Sequence, residues 1–178
     1  MKIKVKLHND ICKLDIIKKG DWIDLKAAKT VSFNRPYAQT LKRRYKQGTE
    51  YRTRDLKFDF KLIPLGISMQ LPPGFEAVVV PRSSLFLNHG LLQTNHFGVI
   101  DNTYCGDTDE WKFPAMGFFN TEIIEGTRIC QFRIQLSQKA TILQKLKWLF
   151  NNKIELEYVD HLENTARDGF GSTNRSTL

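Results

Sequence analysis

The chain has 178 residues, of which 41% are hydrophobic, enough for one well-buried domain. Its formal net charge of +8 suggests an anionic partner such as nucleic acid, a membrane surface or a phosphorylated small molecule. The three cysteines have no C-x-x-C spacing, which disfavours a disulfide framework or a zinc cluster and favours a reducing compartment. The N-terminus lacks a signal-peptide core and no run reaches about eighteen apolar residues, so we expect a soluble, cytoplasmic protein.

Short strands separated by turn signals dominate the chain. IKVKL near the N-terminus and KIELEYV at 153–159 alternate apolar and charged residues, and FEAVVV at 75–80 and RICQFRI at 128–134 are rich in β-formers. LPPG (71–74) and EGT (125–127) have the composition of turns. This pattern predicts an all-β fold, as a sandwich, jelly roll or closed barrel, rather than a parallel α/β fold.

The segment 29–61 is strongly basic, with ten Lys or Arg residues against three acids. We interpret it as a solvated loop with a basic face. Tyr37, Tyr45 and Tyr51 offer rings for stacking on bases, but no nucleic-acid-binding motif surrounds them, so a nucleic-acid patch is the weaker interpretation.

One helix is predicted, over residues 139–152. One apolar face with helical spacing runs through KATILQKLKWLFNN and comprises Ile142, Leu143, Leu146, Leu149 and Phe150. We expect this face to pack on the sheet; an interfacial membrane helix is the alternative, disfavoured by the short length. From Asn164 the chain is rich in Gly, Ser, Thr and Arg, which predicts a flexible tail of residues 164–178 after a single domain of residues 1–163.

Five stretches contain polar side chains that could bind a ligand or take part in catalysis. Asp101 in GVIDNTYCGD (98–107) directly follows an apolar run, where a carboxylate is costly to bury unless it is paired or used. The others are DWIDLKAA (21–28), PRSSL (81–85), RICQFRI (128–134) and RDGFGSTN (167–174). Taken singly, each fits a structural role such as a helix cap or a solvated strand face. Together they supply what a polyphosphate needs, namely arginines, hydroxyls and glycine N–H groups, and they add a ring for stacking on a base.

Taken in chain order, the five stretches resemble the five motifs of the trimeric dUTPases, most of all those of Gram-positive bacteria and their phages. The resemblance runs from about Asp21 to Asn174. It implies a distorted β jelly roll, in a homotrimer whose three active sites are shared between subunits. It also implies hydrolysis of dUTP to dUMP and pyrophosphate, which lowers dUTP and supplies dUMP for dTMP synthesis, with magnesium on the three phosphates.

The resemblance also implies a role for each matching residue. Asp101 matches the base that activates a water for in-line attack on the α-phosphorus. Tyr104 matches the residue that packs under the deoxyribose and leaves no room for a 2′-hydroxyl, and Asn95 the one that faces the uracil edge. Asp24 matches an aspartate that holds the Arg82 region and orders magnesium-bound waters, with no direct protein ligand to the metal. The remaining matches are Val99 and Ile100 in the base pocket, Arg82, Ser83, Ser84 and Gln131 at the phosphates, and Arg167, Phe170, Gly171, Ser172 and Thr173 in the closing tail.

Two departures from the family pattern affect the site itself. Ser84 stands where the usual PRSG has a glycine, so its backbone is expected to be less free to approach a phosphate. Arg167 lies three residues before Phe170, closer than in the commoner RGxGGFG form.

The stretch 104–120 is longer than the family's base-reading hairpin. We expect Trp111 and Phe113 in it to pack rather than to contact substrate. We also expect Asp107 to shape this hairpin, and Cys105 to be a bystander rather than a nucleophile.

Two rival interpretations are weighed on the same residues. A dCTP deaminase of related fold also uses an R-S-S-L stretch but needs a glutamate on the strand before an asparagine, where AMGFFN (115–120) has Phe118 and Phe119. A non-catalytic binding module on the same fold predicts a damaged site, whereas the residues that match the motifs are all present. Both rivals are therefore disfavoured.

Overall fold

The computed structural model describes residues 1–15, 20–39, 42–53, 55–167 and 169. Strands make up most of its regular structure. In chain order they are β1 Lys2–Leu7, β2 Ile23–Lys26, β3 Val31–Phe33, β4 Tyr37–Ala38, β5 Lys42–Lys46, β6 Thr49–Thr53, β7 Leu56–Lys57, β8 Asp59–Pro64, β9 Ile67–Gln70, β10 Phe75–Pro81, β11 Leu91–Gln93, β12 Gly98–Asp101, β13 Lys112–Gly117, β14 Thr121–Ile123, β15 Arg128–Leu136 and β16 Glu155–Tyr158. The helices are a 3₁₀ turn at Asp10–Cys12, α1 Leu85–His89 and α2 Ile142–Phe150. The four strands predicted from alternation and composition correspond to β1, β10, β15 and β16, so these predictions are confirmed.

Two sheets carry the candidate site residues. One has the order β12-β10-β15-β2 and the other β11-β13-β8, and both are antiparallel throughout. A third sheet, β16-β1-β9, joins the two ends of the fold, with β16 parallel to β1. The core between the sheets includes Trp111, Phe113 and Phe132, each with no exposed surface, and the Trp111 and Phe132 rings meet edge to face at 5.3 Å. The expectation that Trp111 and Phe113 pack is confirmed.

The basic segment 29–61 is not the predicted loop. Its chain forms β3 to β8, and β5 and β6 pair as a hairpin around Gln47 and Gly48. Both turn residues have positive φ, 50° and 76°, the conformation that two-residue hairpin turns require because it matches the twist of the strands. Short polar strands of this kind lack the apolar alternation that identifies a strand from sequence.

The predicted orientation of the C-terminal helix is wrong. Its proposed inner face, Ile142, Leu143, Leu146, Leu149 and Phe150, is exposed to solvent, with Phe150 84% exposed. The opposite side of α2 attaches to the domain instead. Trp148 meets Phe75 edge to face at 5.2 Å, and Gln144 Nε2 donates to the Pro73 carbonyl at 2.7 Å. The Trp148 ring and this hydrogen bond therefore orient the helix, and the apolar periodicity does not.

The start of α2 is fixed by a capping box. Thr141 Oγ1 accepts from the Gln144 backbone N–H, and Gln144 Oε1 accepts from the Thr141 N–H at 2.7 Å.

Among the described residues no helix is long and apolar enough to cross a membrane. All three cysteines lie in that part of the chain and are free thiols. The division into a domain of residues 1–163 and a tail stays a prediction.

Replacing Trp148 by alanine should destabilise the protein, and replacing Leu149 by glutamine should not. We expect Trp148→Ala to lower the free energy of unfolding by about 1–3 kcal/mol, because it removes the aromatic contact with Phe75. Leu149→Gln, in an exposed position, should change it by less than about 0.5 kcal/mol. Urea unfolding of both variants measures the difference, and an equal loss in the two would contradict the orientation of α2.

Candidate active site

Asp101 ends β12 and lies directly opposite Glu76 of β10. The backbone N–H of Thr103 donates to Asp101 Oδ1 at 2.8 Å, and the Thr103 hydroxyl donates to the same oxygen. The other oxygen, Oδ2, accepts from Arg167 Nη1 at 2.7 Å. The Asp101 side chain remains 47% exposed, so the carboxylate is oriented by the protein and still open to a ligand.

The surroundings of Asp101 keep it ionised. Partial burial, the strongest single influence, raises the pKa of Asp101, but the hydrogen bonds from Thr103 and Arg167 together outweigh it and hold the pKa below the ordinary value for aspartate. An ionised carboxylate can accept a hydrogen bond from a water and so orient it.

Tyr104 and Asn95 flank β12 on either side in sequence. The Tyr104 hydroxyl donates to the Glu110 carbonyl at 3.1 Å, which fixes its ring. Gly169 lies against that ring, since a Cβ there would be 3.1 Å from Tyr104 Cε2. Val99 is 53% exposed beside Asp101, and Ile100 packs against the core.

Gln93 is a residue that the sequence analysis did not single out. It is buried at the end of β11, and its Nε2 donates to Asn95 Oδ1 at 2.9 Å. Its own Oε1 is buried and makes no hydrogen bond within the described part of the chain. Gln93 therefore orients the Asn95 amide, and a polar residue inside an otherwise apolar strand was the signal that could have identified it.

A second group of candidate residues lies around Asp24. This nearly buried carboxylate on β2 pairs with two guanidinium groups, Arg82 Nε at 3.3 Å and Arg128 Nη1 at 3.2 Å. Gln131 on β15 lies directly opposite Asp24. The structure thus brings together Asp24, Arg82 and Gln131, and it adds Arg128, which the sequence analysis did not include. One carboxylate with two guanidinium groups leaves a net positive charge that suits a phosphate.

Ser83 and Ser84 lead into α1, which was not predicted. Ser84 occupies the N-cap position with φ −87°, a conformation open to any residue, so its replacement of glycine imposes no backbone strain. Its side chain makes no capping hydrogen bond, which leaves the hydroxyl available to a ligand.

The residues around Asp101 and the residues around Asp24 form two groups that are far apart within one chain. Asp101 is opposite Glu76 on β10, whereas Gln131 is opposite Val80, four residues further along. At ~3.3 Å per residue and ~4.8 Å per strand, Gln131 lies roughly 16 Å from Asp101. That separation is too large for side chains that contact neighbouring phosphates of one nucleotide.

The predicted long hairpin after Tyr104 is not a hairpin. β12 pairs with β10, whereas β13 pairs with β11 and β8, so residues 102–111 cross from one sheet to another. Asp107 does not shape a hairpin either. Its carboxylate accepts from the Leu162 backbone N–H at 2.6 Å and contacts His161 Nδ1 at 2.9 Å, so it anchors the C-terminal segment. These contacts hold the pKa of Asp107 down at about 2, with the Leu162 N–H as the largest cause.

Part of the predicted closing tail lies outside the described residues. This applies to Phe170, Gly171, Ser172 and Thr173. Arg167 is described, and its guanidinium donates to both Asp101 and Thr103.

Burial raises the pKa of Cys105, which keeps this thiol protonated near neutral pH.

The described residues include no cluster of three or more His, Cys, Asp or Glu side chains that could hold a metal ion. The charge balance around Asp24 favours an anion over a cation, because both carboxylate oxygens already face guanidinium groups. Asp24 is therefore not placed as a direct metal ligand, and the residues around it suit a phosphate.

Comparisons with known proteins agree on one family. A family model described as dUTPase matches residues 53–173. The chain is 41% identical over 174 residues to the SPbeta prophage-derived deoxyuridine 5'-triphosphate nucleotidohydrolase of Bacillus subtilis (strain 168), covering 97% of this chain and 98% of that protein.

Solved structures show the same fold. A dUTPase from Streptococcus mutans superposes with a TM-score of 0.58 at 16% identity, over 78% of this chain and 98% of that one. A mutant dUTPase from phage phi11 of S. aureus, described with a structural Mg(II) ion, superposes with a TM-score of 0.55 at 14% identity, over 79% of this chain and 94% of that one. The predicted jelly-roll fold class is confirmed.

Removing the Thr103 hydroxyl should raise the pKa of Asp101. Thr103→Val deletes one of the hydrogen bonds that offset burial, so Asp101 should protonate at a higher pH than in the native chain. A carbon-13 NMR titration of the aspartate carboxyls measures the shift. Thr103→Ser keeps the hydroxyl and serves as the control, and an identical Asp101 pKa in native and valine chains would refute the assignment.

Proposed function

Because the chain belongs to the dUTPase family, we propose that it hydrolyses dUTP to dUMP and pyrophosphate. The observation that carries the proposal is the Asp101 carboxylate, which is ionised, held by Thr103 and open to solvent on one side. This reaction removes dUTP and supplies dUMP. The 41%-identical relative is named as a nucleotidohydrolase of the same nucleotide, which supports the same substrate here.

In the proposed reaction, Asp101 orients a water for in-line attack on the α-phosphorus and accepts its proton. Thr103 fixes Oδ1, so Oδ2 is the oxygen available to that water. Arg167 covers Oδ2 in the free protein. A triphosphate carries more negative charge than one carboxylate, so the guanidinium moves to the phosphates when substrate binds and uncovers Oδ2.

The nucleoside is selected by the residues around β12. Asn95, oriented by Gln93, faces the uracil edge, with Val99 and Ile100 forming the wall of the base pocket. A rigid wall is needed because one methyl separates uracil from thymine and filling a pocket discriminates by only about 1–3 kcal/mol. Tyr104, fixed through its hydroxyl, packs under the sugar and excludes a 2′-hydroxyl.

The phosphates are bound by Arg82, Ser83, Ser84 and Gln131, assisted by Arg128, and the tail residues Arg167, Phe170, Gly171, Ser172 and Thr173 close over the nucleotide. Asp24 would hold a magnesium ion through water, and the ion, when bound together with the phosphates, would supply charge neutralisation. Asp24 positions Arg82 and Arg128 so that their remaining N–H groups face the ligand.

We further propose a homotrimer with shared sites, because Asp101 and Gln131 of one chain, roughly 16 Å apart, are too distant to contact neighbouring phosphates of one nucleotide. An exposed apolar row supports association. Phe60, Met116 and Leu92 lie side by side across β8, β13 and β11, and Phe60 is 53% exposed. Side chains of this kind usually mark a contact with another subunit.

The location and organisation are also part of the proposal. Three free thiols support the bacterial cytoplasm, and the prophage origin of the relative supports a bacterial or phage source. One β domain of residues 1–163 followed by a tail is the proposed arrangement of the chain.

A pyrophosphate-release assay with dUTP, dTTP, UTP and dCTP, with and without magnesium, tests the activity. We expect turnover of dUTP alone, with Asp101→Asn lowering kcat by about a thousandfold or more, since the attacking water loses its base. Glu122→Gln, a change at an exposed acid remote from Asp101, is the control. Release of ammonia from dCTP would instead identify a deaminase.

Mixing two inactive chains tests the shared site. Asp101→Asn and Arg82→Ala chains, co-expressed with different affinity tags, should regain about a third of the native activity in trimers carrying both tags. Such a trimer has two chains of one kind and one of the other, so one of its three shared sites pairs an intact Asp101 with an intact Arg82. Doubly tagged assemblies without activity would show that each site lies within one chain.

A further inference from the structure

The side-chain amide of Gln93 lies between strand β10 and Asn95. Gln93 is 9% exposed, and its Nε2 donates to the Val79 carbonyl of β10 at 3.3 Å and to Asn95 Oδ1 at 2.9 Å. A backbone carbonyl can only accept, so the Gln93 amide has to turn its nitrogen toward Val79. The second N–H on that nitrogen then needs an acceptor at Asn95, which only the Oδ1 end of the amide provides. The backbone of β10 thus determines which way both amides point.

The buried oxygen of the Gln93 amide supports the same orientation. Oε1 has no hydrogen-bond partner within the part of the chain that the structure describes, although an unpaired buried carbonyl is unfavourable. Turning the amide over would place this oxygen against the Val79 carbonyl, and two acceptors would then face each other. The two hydrogen bonds from Nε2 therefore decide the orientation.

The backbone around Asn95 is fixed as well. The Thr94 N–H donates to a carbonyl of β13 at 3.1 Å, and the Phe97 N–H donates to the Asn95 carbonyl at 2.6 Å in a tight turn. His96 in this turn has a φ of 59°, a conformation that a residue other than glycine keeps only when its surroundings hold it there. Asn95 itself is exposed. Its side chain therefore meets a ligand from a fixed position, with Oδ1 bonded to Gln93 and Nδ2 at the other end of the amide.

We infer that Gln93 is a positioning residue that sets base specificity, because it makes Asn95 present hydrogen-bond donors to the base. This inference rests on the proposed hydrolysis of dUTP, in which Asn95 faces the uracil edge. Position 4 of uracil is a carbonyl, which accepts a hydrogen bond, whereas position 4 of cytosine is an amino group, which donates one. The Nδ2 donors pair with the carbonyl, but against the amino group they leave donors on both sides unpaired. An Asn95 amide that was free to turn over would accept cytosine, and Gln93 prevents that turn.

The ratio of kcat/KM for dUTP to kcat/KM for dCTP, measured by pyrophosphate release, tests the inference. Gln93→Met removes the amide and keeps the length of the side chain, so Asn95 becomes free to turn over. We expect the ratio to fall by about ten- to a hundredfold. Gln70→Met is the matched control and should leave the ratio unchanged, because Gln70 also ends a short strand, β9, in the sheet β16-β1-β9, which carries no candidate site residue. Equal losses toward both nucleotides in Gln93→Met would overturn the inference.

A second substitution separates orientation of the amide from the shape of the pocket. Asn95→Asp, at an exposed position where folding is not at stake, replaces the amide by a carboxylate whose two oxygens both accept, so the ratio should fall here too. In this background Gln93→Met should not change the ratio, since the two ends of a carboxylate are alike and leave nothing to orient. A further fall would show that Gln93 acts through the shape of the pocket and would contradict its positioning role.

The orientation of the amide is also measurable without a nucleotide. Gly98 lies beside both amides, since a Cβ there would be 3.8 Å from Asn95 Nδ2 and 3.8 Å from Gln93 Nε2. NMR should therefore show nuclear Overhauser contacts between the Asn95 Nδ2 protons and the Gly98 α-protons in the native protein, and weaker ones in Gln93→Met. Equal contacts in the two chains, or none in the native one, would refute the role of Gln93 whether or not dUTP is the substrate. Native protein that hydrolyses neither nucleotide would contradict the proposed function and leave this measurement to decide the orientation.

Discussion

Strand β10 fixes the arrangement on which everything else depends. It hydrogen-bonds to β12 on one side and β15 on the other, so the pairing register sets where Asp101 and Gln131 can lie. A strand cannot slip by one residue without turning its buried side chains outward. The core residues of β10, including Ala77 and Val79, therefore hold the two groups of site residues at a set distance. In the proposed shared site, the need for more than one chain follows from that register.

Both groups of site residues contain an ion pair between a carboxylate and a guanidinium group. Asp24 holds Arg82 and Arg128, and Asp101 holds Arg167. In the first case the carboxylate is nearly buried and acts as a fixed support. In the second it is half exposed, and in the proposed mechanism its arginine moves to the phosphates. The difference in exposure fits the proposed roles, binding for the Asp24 pairs and release of the carboxylate for Asp101.

The sequence was sufficient for the parts governed by strong local patterns. Alternation and β-rich composition identified β1, β10, β15 and β16, and the motif order identified the family. It was misleading where tertiary contacts decide. The apolar stripe of α2 predicted a buried face, but Trp148 and Gln144 set the opposite orientation. Gln93 was missed because its importance depends on a partner in another strand, Val79 of β10.

The wide spacing of Asp101 and Gln131 has a consequence for how activity depends on the amount of protein. On the proposed arrangement, a chain newly released from the ribosome has no working site until it meets other copies. Activity then rises more steeply than in proportion to the amount of protein while copies are scarce, and becomes proportional once assembly is complete. Expression level would thus act as a threshold, set by the geometry of one sheet.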